Sequence, residues 1–167
     1  MSKCRVRLVL WLLFAVTTIA GGLTADIVLR TVPFNLCLRL PGLAGVALAF
    51  LCLRRTGRLL ARMGESEQWG CTSRLVTTDI YAYVRHPHHL SVGLFMTSLA
   101  LLIGHIWSFL SISIPQWIWI FAFLYLVEEP ELIRKFGHAY EEYRRRVPMA
   151  PRDLRRLIRI LGDPLPA

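Results

Sequence analysis

Acidic residues are scarce in this chain: 11 Asp and Glu stand against 20 Lys and Arg, leaving a net charge of +9 over 167 residues. Such a balance raises nucleic acid as a partner, but the basic residues flank apolar segments instead of interleaving with aromatics in a polar domain. Anionic membrane lipids are therefore the expected counter-charge, and no nucleic-acid partner is expected. Cysteine is sparse as well. Cys4, Cys37, Cys52 and Cys71 form no CxxC pair, so neither a disulfide framework nor a zinc site is signalled. Two of them lie in or beside apolar runs, where a thiol behaves as a small hydrophobe. Cys4, beside a basic N-terminus, is a candidate for acylation. A polar domain is missing altogether: 54% of the residues are hydrophobic and the mean hydropathy is +0.46. That is too apolar for a soluble fold and leaves room for one domain, so residues 1–167 read as a single all-α integral membrane domain.

What is present is a series of long apolar runs. Lys3, Arg5 and Arg7 precede a run from Leu8 to about Leu23. A basic segment followed by small residues near Ala20 has the form of a signal peptide. The run is long enough to span a bilayer and no polar secreted domain follows, so it reads as a first transmembrane helix over about 8–25, ending near Asp26. A second span is expected over about 36–53, with Arg39 and Pro41 near one end and Gly45 four residues before Ala49, a spacing that lets helix backbones approach closely. Arg54, Arg55, Arg58 and Arg62 then lead into a polar stretch through Arg85, where Glu65 to Gln68, Gly70 and Thr72 predict irregular structure.

From His89 to Val127 the chain is almost continuously apolar, about twice the ~20 residues that one helix needs. Gly104-His105 and Pro115 interrupt it. Spans over about 89–103 and 113–127, joined by a tight turn with His105 at the interface, make a C-terminal helical hairpin, both helices short enough to require tilt or local thinning. Basic residues cluster at the N-terminus, in the Arg54 to Arg85 stretch and throughout the C-terminal segment, while the turn of this hairpin has none. About four spans with both termini cytoplasmic satisfy that bias, Arg30 and nearby Arg39 being the exception. Beyond the hairpin, Leu132, Phe136, Tyr140 and Tyr143 recur at i, i+4, i+8 and i+11, one apolar-aromatic helix face. Pro148 and Pro151 break it. Over 150–162, Leu154, Leu157, Ile158 and Leu161 oppose Arg152, Arg155, Arg156 and Arg159, the pattern of a basic amphipathic helix lying on a membrane.

Two polar signatures bracket the hairpin: Tyr81-Ala82-Tyr83-Val84-Arg85-His86-Pro87 before it and Glu128-Glu129 after it. Taken singly, Arg85 and His86 anchor a helix end to headgroups, and the two glutamates end a span. A hairpin that leaves and returns to one surface brings both together, however, and carboxylates beside a bilayer are costly unless paired or functional. Segments 71–88 and 128–148 are therefore read as the two cytosolic walls of a site, one suited to a cofactor carrying both charge signs. His86, His88 and His89 with Glu128 and Glu129 also offer imidazole and carboxylate donors for a metal. A proline inside the cluster and the lack of a second histidine box argue against it, so no metal is expected and His88 is read as facing water.

Leu75-Val76-Thr77-Thr78, Tyr81, Arg85-His86-Pro87, Glu128-Glu129, Leu132, Phe136-Gly137, Tyr140, Tyr143 and Arg146-Val147-Pro148 together resemble the isoprenylcysteine carboxyl methyltransferase and phospholipid methyltransferase superfamily, over roughly the last half of the chain. The resemblance implies a small multi-span membrane enzyme that uses S-adenosylmethionine, bound at the cytosolic end of the last helices, with a lipophilic or lipid-linked acceptor entering from the bilayer. It implies roles as well. Glu128, with Glu129 beside it, offers a carboxylate to the cofactor's ammonium or ribose hydroxyls. Tyr81 and the backbone around His86-Pro87 hold the nucleoside or carboxylate, Pro87 opening the third helix at no cost in hydrogen bonds. Leu75 and Val76 wall the adenine, His89 donates a hydrogen bond, and Arg85 or Arg144 anchors the acceptor. No acid or base residue is nominated, because an activated sulfonium donor needs mainly in-line positioning.

The chain departs from the pattern at three positions: many relatives have glycine where Asp79 stands, tyrosine where His89 stands, and a basic residue at Leu124. That basic residue is thought to anchor an acceptor carboxylate, so the acceptor stays open among a prenylcysteine-type carboxylate, a lipophilic thiol and a phospholipid amine. Sterol reductases have a C-terminal region that looks similar but contain many more spans. A non-catalytic membrane adaptor retaining the scaffold is the alternative reading.

Overall fold

The computed structural model describes residues 3–65, 72–151 and 153–163. Most of the irregular loop expected between Glu65 and Gly70 lies outside them, as do Cys71 and Arg152; the side chains of Cys4 and Leu154 are likewise not described. The described residues form an all-α membrane protein of seven α-helices: α1 Lys3–Val28, α2 Leu36–Met63, α3 Pro87–Ile103, α4 Ile106–Phe123, α5 Glu129–Phe136, α6 His138–Arg146 and α7 Leu154–Gly162. Three continuous stretches, Arg5–Val28, Leu36–Met63 and Ile106–Phe136, are long and apolar enough to cross a membrane, and Pro87–Ile103 is a shorter apolar helix. Leu13, Val16, Leu43 and Ile118 stand outward and exposed, a surface suited to lipid. Within the chain, contacts gather into two compact units.

One unit comprises the described residues up to Phe50 together with Val92–Phe121. Its core is Met96, Ala100 and Ile112, with Ile19 and Phe95 packed against them. Gly45 lies against Ser98, where a Cβ would collide with the serine side chain, so the close approach expected from the Gly45 spacing is realised between α2 and α3. Helix ends are the costly places in such a unit, because the first amides and last carbonyls have no partner inside the helix. The N-terminus of α4 is closed by Asp26: its carboxylate accepts from the amides of Trp107 (3.1 Å) and Ser108 (2.8 Å) and from the Ser108 hydroxyl (2.6 Å). The Thr31 hydroxyl donates to Asp26 at 2.7 Å and lies 3.0 Å from His105 Nδ1. Arg39 does the converse for α3. Its Nε and Nη2 donate to the Leu102 carbonyl at 2.9 and 2.7 Å, next to Gly104, whose φ of +77° ends the helix. An arginine that breaks the charge bias thus has a local task.

Several boundaries differ from the sequence expectation. Helix α4 starts at Ile106, not Ser113, and carries Pro115 inside it. A proline within a membrane helix is tolerated where neighbouring groups take up the freed backbone, so it does not mark a boundary. Helix α2 continues ten residues past Leu53, through Arg54 to Arg62, because arginine and leucine are good helix formers and charge alone does not stop a helix. Helix α3 opens at Pro87, the residue expected to start it, two residues ahead of the span bound at His89.

The other unit comprises Leu51–Ser91 and the described residues from Ala122 onward. The expected single helix through Tyr143 is two, α5 and α6, broken at Gly137 with φ +54°. Leu132, Phe136, Tyr140 and Tyr143 nevertheless share one apolar cluster. A second cluster is made by Leu59, Val76, Ile80 and Tyr81, and here α7 departs from expectation: Leu157, Ile160 and Leu161 pack on the protein, leaving Ile158 exposed. The Asp153 side chain caps α7 through the Arg156 amide at 3.1 Å, and the Arg156 guanidinium lies 4.2 Å from the Tyr83 ring centre.

Arg55 fastens this unit. Its Nε and Nη2 donate to Asp79 Oδ1 and Oδ2 at 2.8 and 2.5 Å and its Nη1 to the Asp163 carbonyl at 2.6 Å, with both side chains of the pair buried. Asp79 has φ +57°, in the left-handed region where glycine is at ease. The aspartate therefore carries backbone strain in exchange for the ion pair. Burial by itself would raise the Asp79 carboxyl, but the hydrogen bonds from Arg55 and the Ile80 amide, with the Arg55 charge, outweigh it and hold the group below its ordinary value.

Two outcomes follow from these contacts. Asp26→Ala strands the Trp107 and Ser108 amides and is expected to cost about 1–3 kcal/mol, read as a lower thermal midpoint in detergent; an unchanged midpoint contradicts the cap. Asp79→Gly relieves about 1 kcal/mol of strain but leaves Arg55 buried without its carboxylate, about 3–5 kcal/mol. The net is a loss of roughly 2–4 kcal/mol, with recovery in the Arg55→Met/Asp79→Gly double variant. Because the folded Asp79 group titrates below its unfolded value, its contribution is complete above about pH 4. It fades as the pH falls further, so the gap between parent and Asp79→Gly narrows on acidification; a gap that widens refutes the ion pair.

Candidate functional site

The last membrane helix does not end at Phe123 but winds through a π-turn, Leu124–Glu128, in which the Glu129 amide bonds back to the Leu124 carbonyl. That wider turn decides which way the glutamates face. In a regular α-helix Glu129 would stand above Tyr125, which is 58% exposed; the π-turn stands it above Leu124, which is fully buried. Pro130 follows, and a residue without an N–H suits a helix whose ladder is already interrupted. Glu129 is consequently 3% exposed.

A buried carboxylate must be answered by donors, and four residues supply them. His86 Nε2 lies 2.7 Å from Glu129 Oε1, and the Tyr140 hydroxyl donates to the same oxygen at 2.9 Å. Arg144 Nε is 3.0 Å from Oε2 and Arg85 Nε 3.5 Å from Oε1. Arg85 is held in turn: its amide donates to the Pro148 carbonyl and its Nη1 to the Arg144 carbonyl, each at 3.0 Å. Tyr143 donates to the Tyr81 carbonyl at 2.6 Å, locking the turn that carries these residues. Burial first, and then the Glu129 charge, push the Tyr140 hydroxyl well above its ordinary value, so it stays a donor across the physiological range. Glu129 Oε2 and Arg85 Nε are ion-paired yet make no hydrogen bond. These two atoms are thus held at the centre of the cluster by charge, without a completed hydrogen bond.

Beside this buried half lies a more open one. His86, His89 and Glu128 each bring one donor atom to within 4.8 Å of the others, and His89 rests on the Phe123 ring, 5.5 Å between centres. Pro87 is buried at the first position of α3. The structure thus gathers Arg85, His86, His89, Glu128, Glu129 and Arg144 from the nominated set. Tyr81 lies close enough that, after burial and Tyr143, the Glu128 charge helps to raise its hydroxyl. Leu75 packs against the Tyr140 and Tyr143 cluster, whereas Val76 and the Tyr81 ring sit in the cluster that α7 covers. His88 does not face water: it is half-buried, with Nδ1 3.0 Å from the Thr56 hydroxyl. A cavity of about 320 Å³ is lined by Arg55, Thr78, Asp79, Ala82, Tyr83, Ile160 and Asp163. None of the nominated residues lines it, and Arg55 and Asp79 are already paired with each other.

Tyr140 joins the cluster although spacing alone did not place it there. It stood in the sequence as one member of an aromatic face, and only the break at Gly137 turns its hydroxyl onto Glu129.

Residues 35–139 match the profile of a family described as "Phospholipid methyltransferase". The chain belongs to that family. It is also similar to a protein of Schizosaccharomyces pombe named "Protein-S-isoprenylcysteine O-methyltransferase", with 36% identity over 110 residues. The matched region is 61% of this chain and 46% of the relative, so the chain spans about half the length of the relative it matches. No solved structure matches. Arg85, His86, His89, Glu128 and Glu129 all fall inside the family match, and Tyr140 directly follows it.

Tyr140→Phe removes a hydrogen bond to a charged group and is expected to cost about 1.5–3 kcal/mol, measured by thermal unfolding in detergent. Full parental stability contradicts the role given to this hydroxyl.

Proposed function

We propose that this protein is a membrane methyltransferase that takes its methyl group from S-adenosylmethionine and passes it to an amphiphilic acceptor. The observation that carries the reading is the Glu129 cluster. Two guanidiniums, two carboxylates and an imidazole, with Glu129 Oε2 and Arg85 Nε ion-paired but not hydrogen-bonded, suit a zwitterionic amino-acid group. In this reading Glu128 takes the ammonium, and the amides at the start of α3, behind Pro87, take the carboxylate together with Arg85 or Arg144. Leu75, Val76 and Tyr81 wall the nucleoside, which requires α7 to give way over Val76 and Tyr81. S-adenosylmethionine supplies, when bound, a methyl group already activated on a sulfonium.

The protein's own part is positioning and the exclusion of water. A cofactor held from two sides by fixed charges loses little further freedom on reaching an in-line geometry, and that geometry provides much of the rate. Glu129 acts through His86, Arg85 and Arg144, which it holds in place. The acceptor is an amphiphile because Tyr125 and Leu126, in the same π-turn as Glu128, are outward-facing and exposed, Leu126 at 77%. A lipid-linked carboxylate or thiolate, as the name of the S. pombe relative suggests for the carboxylate, is nucleophilic as bound, whereas a phospholipid amine must first lose a proton. Leu124 is buried and apolar, so anchoring of an acceptor anion falls to Arg85 or Arg144. In this reading both termini lie on the cytoplasmic side, from the distribution of basic residues.

Calorimetry with S-adenosylmethionine and S-adenosylhomocysteine in nanodiscs tests the reading. Saturable binding is expected in the parent, weakened at least tenfold, about 1.4 kcal/mol, in Glu128→Ala and in His86→Ala. Absence of binding by a well-folded parent overturns it.

A further inference from the structure

We infer that His86, His89 and Glu128 form a binding site for a divalent transition-metal ion of the zinc class. The three donor atoms come from one place in the fold: His86 precedes α3, His89 lies in its first turn, and the π-turn delivers Glu128. All three lie within 4.8 Å of one another, a span that accommodates the edge of about 3.4 Å of a tetrahedron with bonds of about 2.1 Å.

His86 is fixed by what a metal-binding histidine needs. Its Nε2 lies 2.7 Å from Glu129, which is itself held by Tyr140 at 2.9 Å. The proton is thereby kept on Nε2 and Nδ1 becomes the ligand atom, in the carboxylate–histidine–metal arrangement that sets ring orientation and strengthens the donor. Two imidazoles and one carboxylate select zinc, cobalt, nickel or iron over magnesium or calcium, which prefer oxygen alone. Three protein ligands leave a coordination position open. His88 takes no part, since its Nδ1 faces Thr56. Arg85 and Arg144 oppose a cation, and the Glu129 carboxylate between them offsets part of that charge.

A consequence rests on the proposed function: because His86 and Glu128 also serve the cofactor there, metal and cofactor exclude one another. Zinc is then an inhibitor that competes with S-adenosylmethionine.

The experiment uses tag-free protein in nanodiscs, titrated with Co²⁺ and followed by its visible ligand-field absorption. One saturable equivalent, displaced by Zn²⁺, is expected. Affinity should fall at least tenfold in His89→Ala and in Glu128→Gln, with folding checked by thermal midpoint, and remain unchanged in His105→Ala, a histidine outside the cluster. No saturable band in folded parent protein, or a band retained in both variants, overturns the site. S-adenosylhomocysteine binding is then measured with and without Zn²⁺. A dissociation constant that rises in proportion to Zn²⁺ supports the overlap; one that does not change overturns it. Co²⁺ binding without any S-adenosylhomocysteine binding supports the metal site and defeats the methyltransferase reading instead.

Discussion

Taking the Glu129 carboxylate out of water would cost several kcal/mol if nothing answered it, and that cost organises the surrounding structure. His86, Tyr140, Arg85 and Arg144 converge on two oxygens from the turn before α3 and from α6. None of these donors is near Glu129 in sequence, so the charge acts as a tie between segments. A buried charge with imperfectly matched partners is also a place where a charged ligand finds groups to bind, because the desolvation has already been incurred on folding. The π-turn is the geometric condition for all of this. One wider turn moves Glu129 from the exposed side of the helix to the buried one and leaves Glu128 beside His86 and His89.

Polar groups elsewhere obey the same rule. Asp26 closes the start of α4 and Arg39 the end of α3, so each apolar helix that cannot satisfy its own terminal groups borrows a charged side chain from another helix. In the second unit Arg55 and Asp79 form a closed pair that also holds the Asp163 carbonyl. The strained φ at Asp79 is the visible sign of that choice.

Local signals in the sequence were reliable where the chemistry is local. Pro87 marked a helix start because a missing N–H is harmless there, and Gly104 marked a turn because left-handed backbone favours glycine. Pairing Arg85-His86 with Glu128-Glu129 needed only the hairpin between them. The failures lie where a distant partner decides. Pro115 read as a break yet lies inside α4; Gly137 read as part of a helix yet divides α5 from α6; the apolar face of α7 read as lipid-facing yet packs on Leu59 and Tyr81. In the last case an apolar surface has two possible covers, bilayer or protein, and residue periodicity is the same for both.

By itself the sequence determined that this is an all-helical membrane protein, where its basic segments and hairpin turn lie, and which polar residues are too costly to be idle near a bilayer. Composition and short-range backbone chemistry suffice for that. Only the tertiary structure decided that Glu129, and not Glu128, is the buried hub, that Tyr140 belongs to it, and that His88 does not join His86 and His89. Those outcomes depend on one extra residue in a single helical turn and on hydrogen bonds across dozens of positions, and neither leaves a periodic trace in the chain.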